Sequence, residues 1–338
     1  MGITIGAYID GGGHVAGHMK DVAMHDGIER LLVTGSDEAR EMAATMPKAE
    51  FVSDWDALLA DYDLPALIVL TNNRDAGRLN LQAVEAGKWV YGEKPGARTA
   101  AEMAAIVEAC RRSGAHFMPC YARRTFADTL EIKRLIDSGA LGELWSFQAN
   151  WIASQAALRG VDWWGFSGEI AGGGILYWLG CHWIDAISFV TGQRIAEVSA
   201  LCTTADPRVS VEDVACVGLR LEGGAIGTLR CGYLLNPFEG YEDCHLMTAW
   251  EGSDGWISHH PHGAVTLRAR SRTHEVRDLV LDRSGAGGYA PAMLSDFIEA
   301  LERRRRPLVC EDDALYVLRV IEAAYESSRS GVAVKVQP

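Results

Sequence analysis

The run GGGILYWLGCHWIDAISF, residues 172–189, is almost wholly apolar, yet it carries two titratable side chains, His182 and Asp185. Their spacing places them on one face of a helix, and Trp178 precedes His182 by one further turn. A half-buried histidine of this kind suits a general acid or base. It equally suits a core histidine with one satisfied hydrogen bond, so the run alone leaves both interpretations open.

A second candidate for chemistry is Lys94, in the motif GEKPG. A residue before proline favours extended backbone, so we expect Lys94 to point off the carboxyl edge of a parallel sheet, where ligands bind. A lysine there can donate a hydrogen bond to a substrate oxygen and stabilise negative charge as hydride leaves the neighbouring carbon. Without further context, EKP could also be a surface loop.

The third candidate is the loop DGGGHVAGH after the first β-rich run. Gly11, Gly13 and Ala16 match the pattern G-x-G-x-x-G/A, in which small residues let the backbone approach a pyrophosphate at a helix N-terminus. Such a cluster can be merely a turn, but its place before a helix favours a nucleotide. The predicted nucleotide contacts of this loop are Gly11, Gly13, His14 and Val15.

The second β-rich run, RLLVTG, lacks the acid that usually holds the ribose hydroxyls of NAD. It ends with Thr34 and Gly35, then Ser36 follows, and Arg40 lies one turn further on. Hydroxyls and an arginine suit a 2′-phosphate, which a carboxylate would repel, so the pattern favours NADP, with NAD as the alternative. In that alternative Asp37 binds the ribose, although we expect it to cap the next helix.

Short β-rich runs alternate with helical ones up to about residue 120, and this alternation predicts a parallel sheet with helices on both faces. The predicted strands are ITIGAYI, RLLVTG, ALIVLT, KWVYGE and HFMPCY, and the predicted helices are DEAREMAATM, DAGRLNLQAVEAG and AAEMAAIVEACRRSG.

Beyond residue 120 the pattern changes to one helix, the tryptophan-rich region and then alternating strands. These strands are AEVSALCTT, VACVGLRLE, AIGTLRCGYL, AVTLRAR and HEVRDLVL, followed by a helix ALYVLRVIEAAYESSRS. The predicted fold is α/β: an N-terminal Rossmann domain, residues 1–120, and a C-terminal α+β domain, residues 121–338, with a large, mostly antiparallel open sheet.

The formal net charge of −13 argues against nucleic acid or an anionic membrane as a partner. No apolar run reaches transmembrane length, and the first residues lack the basic region of a signal peptide, so we expect a cytoplasmic protein.

The eight cysteines occur singly and predict reduced thiols. The basic run Arg303–Arg306 suits a helix end. The HHPH cluster, His259–His262, is expected to be an exposed turn, so no metal site is predicted.

Four segments together resemble the Gfo/Idh/MocA family, that of glucose–fructose oxidoreductase and inositol 2-dehydrogenase. They are AGKWVYGEKP, YARRTFADTLEIKRLIDSGALGE, GGGILYWLGCHWID and DFIEALERRRRPLVCEDDALYVLRVIEAAYESSRSG, in the family's order along nearly the whole chain. The resemblance implies hydride transfer between nicotinamide and a carbinol carbon of a sugar, cyclitol or related polyol. It also implies a homodimer or homotetramer formed through the open sheet.

The resemblance assigns roles to individual residues. It implies that Lys94 lies beside nicotinamide and substrate, that His182 is the acid/base, and that Arg124 ties the domains together. Where the family has a cofactor-contacting Thr-Pro-Asn, this chain has Thr71-Asn72-Asn73. With the loop residues above, the predicted cofactor contacts are completed by Thr34, Ser36, Arg40, Thr71, Asn72, Asn73, Glu93 and Lys94.

The chain departs from the family at Trp178, where an aspartate usually lies four residues before the histidine. An aspartate would stabilise a protonated imidazole, so its loss predicts a more often neutral His182. Trp178 could stack its ring on a sugar, with Trp164 as a second candidate for that role. Alternatively, Trp178 could pack in the hydrophobic core, or the site could bind nucleotide without ordinary turnover. Asp185 could orient the imidazole or bind a substrate hydroxyl, or it could be structural. The predicted substrate contacts are Lys94, Trp164, Trp178, His182 and Asp185.

Three functions therefore compete. The first is an NADP-preferring dehydrogenase or reductase of a sugar or polyol, with Lys94 and His182 as the catalytic pair. The second is a glycosidase that oxidises a sugar, eliminates the aglycone and returns the hydride, with no net redox change. The third is a non-catalytic NAD(P)-binding regulatory protein. Retention of both Lys94 and His182 favours an enzyme, because a sensor has no need for that pair.

Overall fold

The computed structural model describes residues 2–61, 63–233, 244–261, 265–275, 277–281 and 289–337. Contacts between residues divide the chain into two units. The first comprises Met1–Ala122 and Ala286–Tyr316, and the second comprises Arg123–Gly285 and Val317–Pro338.

The first unit is built on a six-stranded parallel sheet in the order β3-β2-β1-β4-β5-β6. Its strands are β1 (Ile3–Asp10), β2 (Ile28–Gly35), β3 (Ala49–Phe51), β4 (Ala66–Thr71), β5 (Trp89–Gly92) and β6 (Phe117–Pro119). Its helices are α1 (Val15–Met24), α2 (Asp37–Thr45), α3 (Trp55–Ala60), α4 (Asn73–Glu85), α5 (Ala100–Ser113) and α10 (Pro291–Arg303). The predicted Rossmann fold is confirmed.

The strand order reverses between β1 and β4, which are neighbours although β2 and β3 separate them in sequence. Open α/β sheets bind ligands at such a switch point, outside the carboxyl ends of the strands. Every residue of β4 is buried, as expected for a parallel strand covered on both faces. The loop after β1 therefore lies where a nucleotide is expected.

The second unit contains a nine-stranded sheet in the order β14-β13-β12-β11-β7-β10-β9-β8-β15. Its strands are β7 (Leu144–Ala153), β8 (Ile195–Thr203), β9 (Val214–Leu221), β10 (Ile226–Gly232), β11 (Cys244–Gly252), β12 (Gly255–His260), β13 (Val265–Ser271), β14 (Arg277–Leu281) and β15 (Val334–Lys335). Its helices are α6 (Ala127–Asp137), α7 (Gln155–Arg159), α8 (Gly168–Ala171) and α9 (Cys181–Thr191), and α11 (Glu311–Ser330) begins in the first unit and ends in the second.

The strand pairs of this sheet are antiparallel except β7 with β10, which confirms the predicted, mostly antiparallel sheet. The sequence patterns do not predict β7, β11 and β12. These strands are rich in Trp, His and polar residues and lack the runs of valine, leucine and isoleucine that identified their neighbours.

The predicted exposed turn at HHPH is wrong. His259 and His260 end strand β12, and the His259 side chain is 1% exposed. Its ring pairs with the Asp128 carboxylate (Nε2 to Oδ2, 2.9 Å) and with the Thr248 hydroxyl (Nδ1 to Oγ1, 3.1 Å). These buried polar partners satisfy the imidazole, which explains its place in a core. His262 lies outside the described residues.

The first unit also includes residues 286–316, which lie beyond the predicted domain boundary at residue 120. Helix α10 packs on α1 and β5, and the Phe297 ring lies 5.6 Å from that of Tyr91. At the start of α11, Glu311 accepts hydrogen bonds from the His116 ring (3.1 Å) and from the Phe117 N–H (3.2 Å). This segment therefore completes the first unit, although it lies near the end of the chain.

Within the part of the chain that the structure describes, no helix has the length and apolar character needed to cross a membrane.

Candidate functional site

Two glycines shape the glycine loop. Gly11 adopts φ +66°, and a Cβ added there would meet open space. A Cβ on Gly12 would lie 3.0 Å from the Leu70 carbonyl carbon and 3.1 Å from the Thr71 nitrogen. The loop thus packs closely on the end of β4, through a glycine that the predicted pattern did not include.

Helix α1 begins directly after this loop. His14 is its N-cap residue and its side chain makes no capping hydrogen bond, while Val15 is the first helical residue and is buried. No acidic residue occupies the first turn. The first turn itself therefore contributes no negative charge that would oppose a bound anion.

The end of β2 presents the residues expected at the ribose. Thr34 is buried. Gly35 adopts φ +130°, and a Cβ there would lie 2.0 Å from the Ile9 carbonyl oxygen, so only glycine fits. Ser36 is the N-cap residue of α2, so the expectation that Asp37 caps this helix is wrong. Asp37 is instead the first helical residue, where its charge favours the helix dipole.

Arg40 lies on the exposed surface of α2, and its guanidinium lies over the Phe51 ring, 4.0 Å from the centroid. The ring restricts the orientation of the guanidinium plane without neutralising its charge. An arginine held in this way retains the positive charge that a phosphate requires.

The three predicted contacts at the end of β4, Thr71, Asn72 and Asn73, differ in the contacts of their side chains. Asn72 caps α4, since its Oδ1 accepts from the Asp75 N–H (3.1 Å) and its Nδ2 donates to the Asp75 carboxylate (2.9 Å). Asn73 is the first residue of α4 and is buried. The Thr71 hydroxyl is buried without a hydrogen-bond partner among the described residues. A buried hydroxyl of this kind calls for a ligand or water.

Glu93 and Lys94 follow the carboxyl end of β5 and are 6% and 2% exposed. The peptide bond from Lys94 to Pro95 is cis. One oxygen of Glu93, Oε1, accepts hydrogen bonds from His14 Nδ1 (2.6 Å) and His18 Nε2 (3.3 Å). The other, Oε2, accepts from the Lys94 N–H (3.1 Å). No sequence motif points to His18.

The electrostatics of this group favour an ionised Glu93 beside a neutral His14. Burial opposes ionisation of Glu93, yet His14 and His18 outweigh it and hold the pKa of the carboxyl well below its ordinary value. Burial lowers the pKa of His14, and the nearby Glu93 charge only partly offsets this effect. An ionised carboxylate can only accept hydrogen bonds, so each histidine donates its N–H to Glu93.

Tyr289, which sequence analysis also missed, packs against both histidines. Its ring stacks on that of His14 at 4.2 Å and 11°, and it meets His18 edge-on at 4.8 Å. The backbone N–H groups of Tyr289 and Ala290 donate to one oxygen of the buried Asp21 carboxylate, at 3.1 and 2.7 Å. The residues just before α10 are thereby fixed against α1, and no local sequence signal identified this contact.

In the second unit, the Gly172–Gly174 run leads into a π-helical turn, Leu176–Gly180, followed by α9. Trp178 lies in the π-helical turn, and His182 and Asp185 lie in α9. All three are nearly buried, with 7%, 5% and 1% of their surface exposed. Wide turns of this kind are frequent at functional sites.

Glu212 fixes the start of this helical segment. Its carboxylate accepts hydrogen bonds from the Gly174 N–H (2.8 Å), the Leu176 N–H (3.0 Å) and the Tyr325 hydroxyl (2.7 Å). Burial raises the pKa of Glu212, and these donors partly offset the increase. A Cβ on Gly174 would lie 1.9 Å from the Glu212 carbonyl oxygen, so only glycine fits there. Sequence analysis did not detect Glu212.

His182 lies among aromatic and basic side chains. Its ring is 5.7 Å from that of Trp151, with the planes tilted by 36°. The Arg123 guanidinium lies over the Trp183 ring at 3.8 Å and over the Trp151 ring at 4.8 Å. The surroundings are thus largely apolar, with positive charge held nearby by cation–π contacts.

Asp185 forms a buried ion pair with Arg124. The guanidinium donates from Nη2 to Oδ1 (2.6 Å) and from Nε to both oxygens (3.1 Å each). Both residues belong to the second unit, so this ion pair does not join the two predicted domains. Because both carboxylate oxygens accept from Arg124, the pair favours the structural alternative for Asp185.

The environment of Trp178 favours the core-filling alternative. The Trp163 and Trp164 rings meet it edge-on at 4.6 and 5.9 Å. The Arg159 guanidinium lies over the Trp178 ring at 5.0 Å and over the Trp163 ring at 4.5 Å. Trp164 is half-buried and more accessible than Trp178, so it is the better placed of the two predicted stacking residues. Trp163 and Arg159 were not predicted.

The first unit fits a dinucleotide on its own geometry. The open space at Gly11, the α1 N-terminus without acidic residues, and the buried Thr71 hydroxyl all lie at the switch point of the sheet. Backbone N–H groups at such a terminus bind pyrophosphate. The buried Lys94 adds a positive charge at the same edge, after β5.

Comparison with curated proteins identifies dehydrogenases as relatives. The chain is 30% identical over 210 residues to levoglucosan dehydrogenase of Pseudarthrobacter phenanthrenivorans, which covers 61% of this chain and 51% of that protein. The alignment therefore spans about half the length of this relative. The chain is also 24% identical over 335 residues to scyllo-inositol 2-dehydrogenase (NADP(+)) of Bacillus subtilis, which covers 93% and 89% of the two chains.

Among solved structures, levoglucosan dehydrogenase in complex with NADH and levoglucosan has the same fold, with a TM-score of 0.88 at 21% identity over 100% of both chains. Residues 5–121 match the oxidoreductase family with an NAD-binding Rossmann fold. Residues 129–257 match the GFO/IDH/MocA C-terminal domain. Both halves of the family are thus present in order, and the chain belongs to the Gfo/Idh/MocA family of NAD(P)-binding oxidoreductases.

Proposed function

We propose that this protein is an NADP-preferring oxidoreductase that transfers hydride between nicotinamide and a carbinol carbon of a sugar, cyclitol or related polyol. The observation that carries the proposal is the buried Lys94 at the carboxyl end of β5, joined through Glu93 to the glycine loop. In this proposal residues 1–120, completed by residues 286–316, bind the cofactor, and the rest of residues 121–338 contributes to substrate binding and self-association in the cytoplasm.

The nicotinamide, when bound, supplies the hydride acceptor or donor. Lys94 donates a hydrogen bond from Nζ to the reacting oxygen and stabilises negative charge there. His182 takes the hydroxyl proton during oxidation and returns it during reduction, because hydride transfer alone would leave a charged oxygen. The apolar rings near His182 exclude water from this proton transfer.

NADP preference rests on the end of β2. Thr34 and Ser36 supply hydroxyls, and Arg40 supplies an exposed positive charge, where NAD-binding proteins of this fold have an acid. A 2′-phosphate gains charge-assisted hydrogen bonds from such groups. Binding of NAD in place of NADP is the alternative that the experiments below distinguish.

We further infer that the chain forms a homodimer or homotetramer through the open face of the nine-stranded sheet. Strand register places Leu201, Cys216, Arg230 and Asn150 in one row across β8, β9, β10 and β7. Such a row shares one face of a sheet. On this face Leu201 is 76% exposed, and Ile226 and Trp256 are also exposed. Exposed apolar residues on one sheet face suit a partner subunit.

The proposal is tested in two steps. The purified protein is first titrated with NADPH and NADH, and we expect saturable binding from nucleotide fluorescence and from thermal stabilisation. A panel of sugars, cyclitols and glycosides is then assayed with wild type, Lys94→Ala and His182→Ala. We expect turnover to fall at least about 100-fold in each variant, because each loses an interaction made in the transition state.

Nucleotide affinity serves as the control for these variants. His182→Ala should bind NADPH like wild type, and Lys94→Ala should largely retain binding. Normal turnover by Lys94→Ala would contradict the catalytic assignment. Absence of binding by wild type would contradict the redox function itself.

A further inference from the structure

We propose that Glu93 is a positioning residue that ties the glycine loop to the Lys94 turn, so that nucleotide binding and placement of the catalytic lysine depend on one carboxylate. The inference rests on the proposed function and deepens it. The Glu93 cluster is defined as Glu93, His14, His18 and Lys94. All four residues belong to the first unit.

The first link runs from the glycine loop to Glu93. His14 is in the loop itself, at the N-cap of α1, and its side chain donates to Glu93 (2.6 Å) instead of capping the helix. The stacked Tyr289 ring fixes the plane of the imidazole. A Cβ on Gly17 would lie 2.6 Å from the Tyr289 Cβ, so the missing side chain there permits the stack. The loop therefore holds Glu93 in a defined orientation.

The second link runs from Glu93 to the lysine. Oε2 accepts from the Lys94 backbone N–H at 3.1 Å, while Oε1 accepts from His14 and His18. Only a carboxylate accepts on both oxygens. A glutamine at this position would place an NH2 group against either the Lys94 N–H or the histidine N–H groups. It would therefore lose one of the two links.

The charges around the Glu93 cluster keep its hydrogen bonds in place at neutral pH. The charged and titratable groups facing His14 are Glu93, Lys94 and His18. The histidines hold the pKa of Glu93 well below its ordinary value, so the carboxylate persists. If His14 takes up a proton in acid, its bond to the carboxylate becomes an ion pair and is retained. The cluster is therefore a fixed connection and not a pH switch.

The test compares wild type with His14→Phe and Glu93→Gln. The phenylalanine retains an aromatic ring to stack on Tyr289 and removes only the N–H donor. The matched control is His116→Asn, which breaks another histidine–glutamate pair of the same unit, with Glu311 at 3.1 Å. His116 precedes β6 and so lies at the amino edge of the sheet, whereas Glu93 follows the carboxyl end of β5.

Two readouts are independent of turnover. The first is the dissociation constant of NADPH from nucleotide fluorescence, which we expect to rise about tenfold in each test variant but not in the control. The second is the rate at which an amine reagent labels Lys94, measured by mass spectrometry of the digest. Lys94 is 2% exposed in the native protein, and we expect labelling about fivefold faster when either link is broken.

The double variant His14→Phe with Glu93→Gln distinguishes positioning from simple loss of stability. If both residues act through one connection, the double variant should bind NADPH no more weakly than the worse single variant. Additive effects on NADPH affinity would overturn the proposal, as would affinity and labelling rates within twofold of wild type in both single variants.

The outcomes also separate this inference from the proposed function. If wild type binds NADPH but oxidises no sugar or polyol, the proposed reaction fails, and the affinity and labelling measurements still decide the role of Glu93. If wild type turns over and the variants match it, only the Glu93 inference fails. If wild type binds neither nucleotide, both fail.

Discussion

At the scale of single residues, His14 and Glu93 contribute to the response of the first unit to acid. Burial lowers the pKa of His14 from its ordinary value of 6.5, so the unfolded chain binds a proton below pH 6.5 that the folded chain rejects. Stability therefore falls as pH decreases from 6.5 to the folded pKa of His14. The pKa of Glu93 lies well below 4.5, so its contribution is present above pH 4.5 and is lost as pH falls through that lower value.

We expect His14→Phe to flatten the pH dependence of stability between pH 8 and 5. The variant loses the histidine that resists protonation, and Glu93 loses a donor that keeps it ionised. The measurement is the urea midpoint of wild type and His14→Phe across this range. An unchanged slope in His14→Phe would show that His14 does not contribute to the pH dependence.

The proposed NADP preference assigns the choice of nucleotide to Arg40. We expect Arg40→Ala to weaken NADPH binding about tenfold, the effect of one charge-assisted phosphate contact, and to leave NADH binding nearly unchanged. The control is Arg111→Ala, an exposed arginine near the end of α5, which should alter neither affinity. Equal loss for both nucleotides in Arg40→Ala, measured by fluorescence titration, would contradict a role at the 2′-phosphate.

At the scale of elements, the helix that carries His182 depends on a glycine and a buried acid. Gly174→Ala would place a methyl group 1.9 Å from the Glu212 carbonyl oxygen, so the helix start must move. We expect a loss of about 2 kcal/mol of stability, the usual cost of overpacking, together with reduced turnover.

The matched control for this substitution is Gly218→Ala in β9, where the nearest atom to the added Cβ is 3.5 Å away, an ordinary contact. It should change the free energy of unfolding, measured in urea, by less than about 1 kcal/mol. Equal stability of Gly174→Ala and Gly218→Ala would mean that the helix start tolerates displacement.

Local patterns predicted most of the elements, because each signal lies within a few residues. The glycine loop, the alternation of strands and helices and the EKP motif are of this kind. Hydrogen bonds between distant segments have no such local signal, because His18 and Glu93 are 75 residues apart and Asp128 and His259 are 131 residues apart. Neither pair has a sequence spacing that predicts contact, which is why HHPH was mistaken for a turn.

The tryptophan cluster shows a second limit of sequence patterns. Trp178 on a helix is compatible with a sugar platform or with core, and only its neighbours decide between them. Trp163 and Arg159 cover it in the fold, and both are in a preceding segment whose path has no periodic signal. Packing on an irregular segment cannot be predicted from composition.

At the scale of the whole molecule, the open sheet face predicts self-association. We expect light scattering on a sizing column to give the mass of two or four chains, and Leu201→Lys to shift it toward one chain, because a charge would be buried in the interface. Leu130→Lys, at an exposed leucine of α6, should leave the mass unchanged. A monomeric wild type at micromolar concentration would contradict the proposal.

The position of β7 has a consequence for how the protein is made. β7 is the first strand of its sheet to be synthesised, yet its neighbours are β10 and β11, which follow it by more than 70 residues. The first unit likewise needs α10 from near the end of the chain. Contacts so distant in sequence form slowly. Neither sheet can therefore complete its packing until elements far downstream have been synthesised, β10 and β11 for β7 and α10 for the first unit.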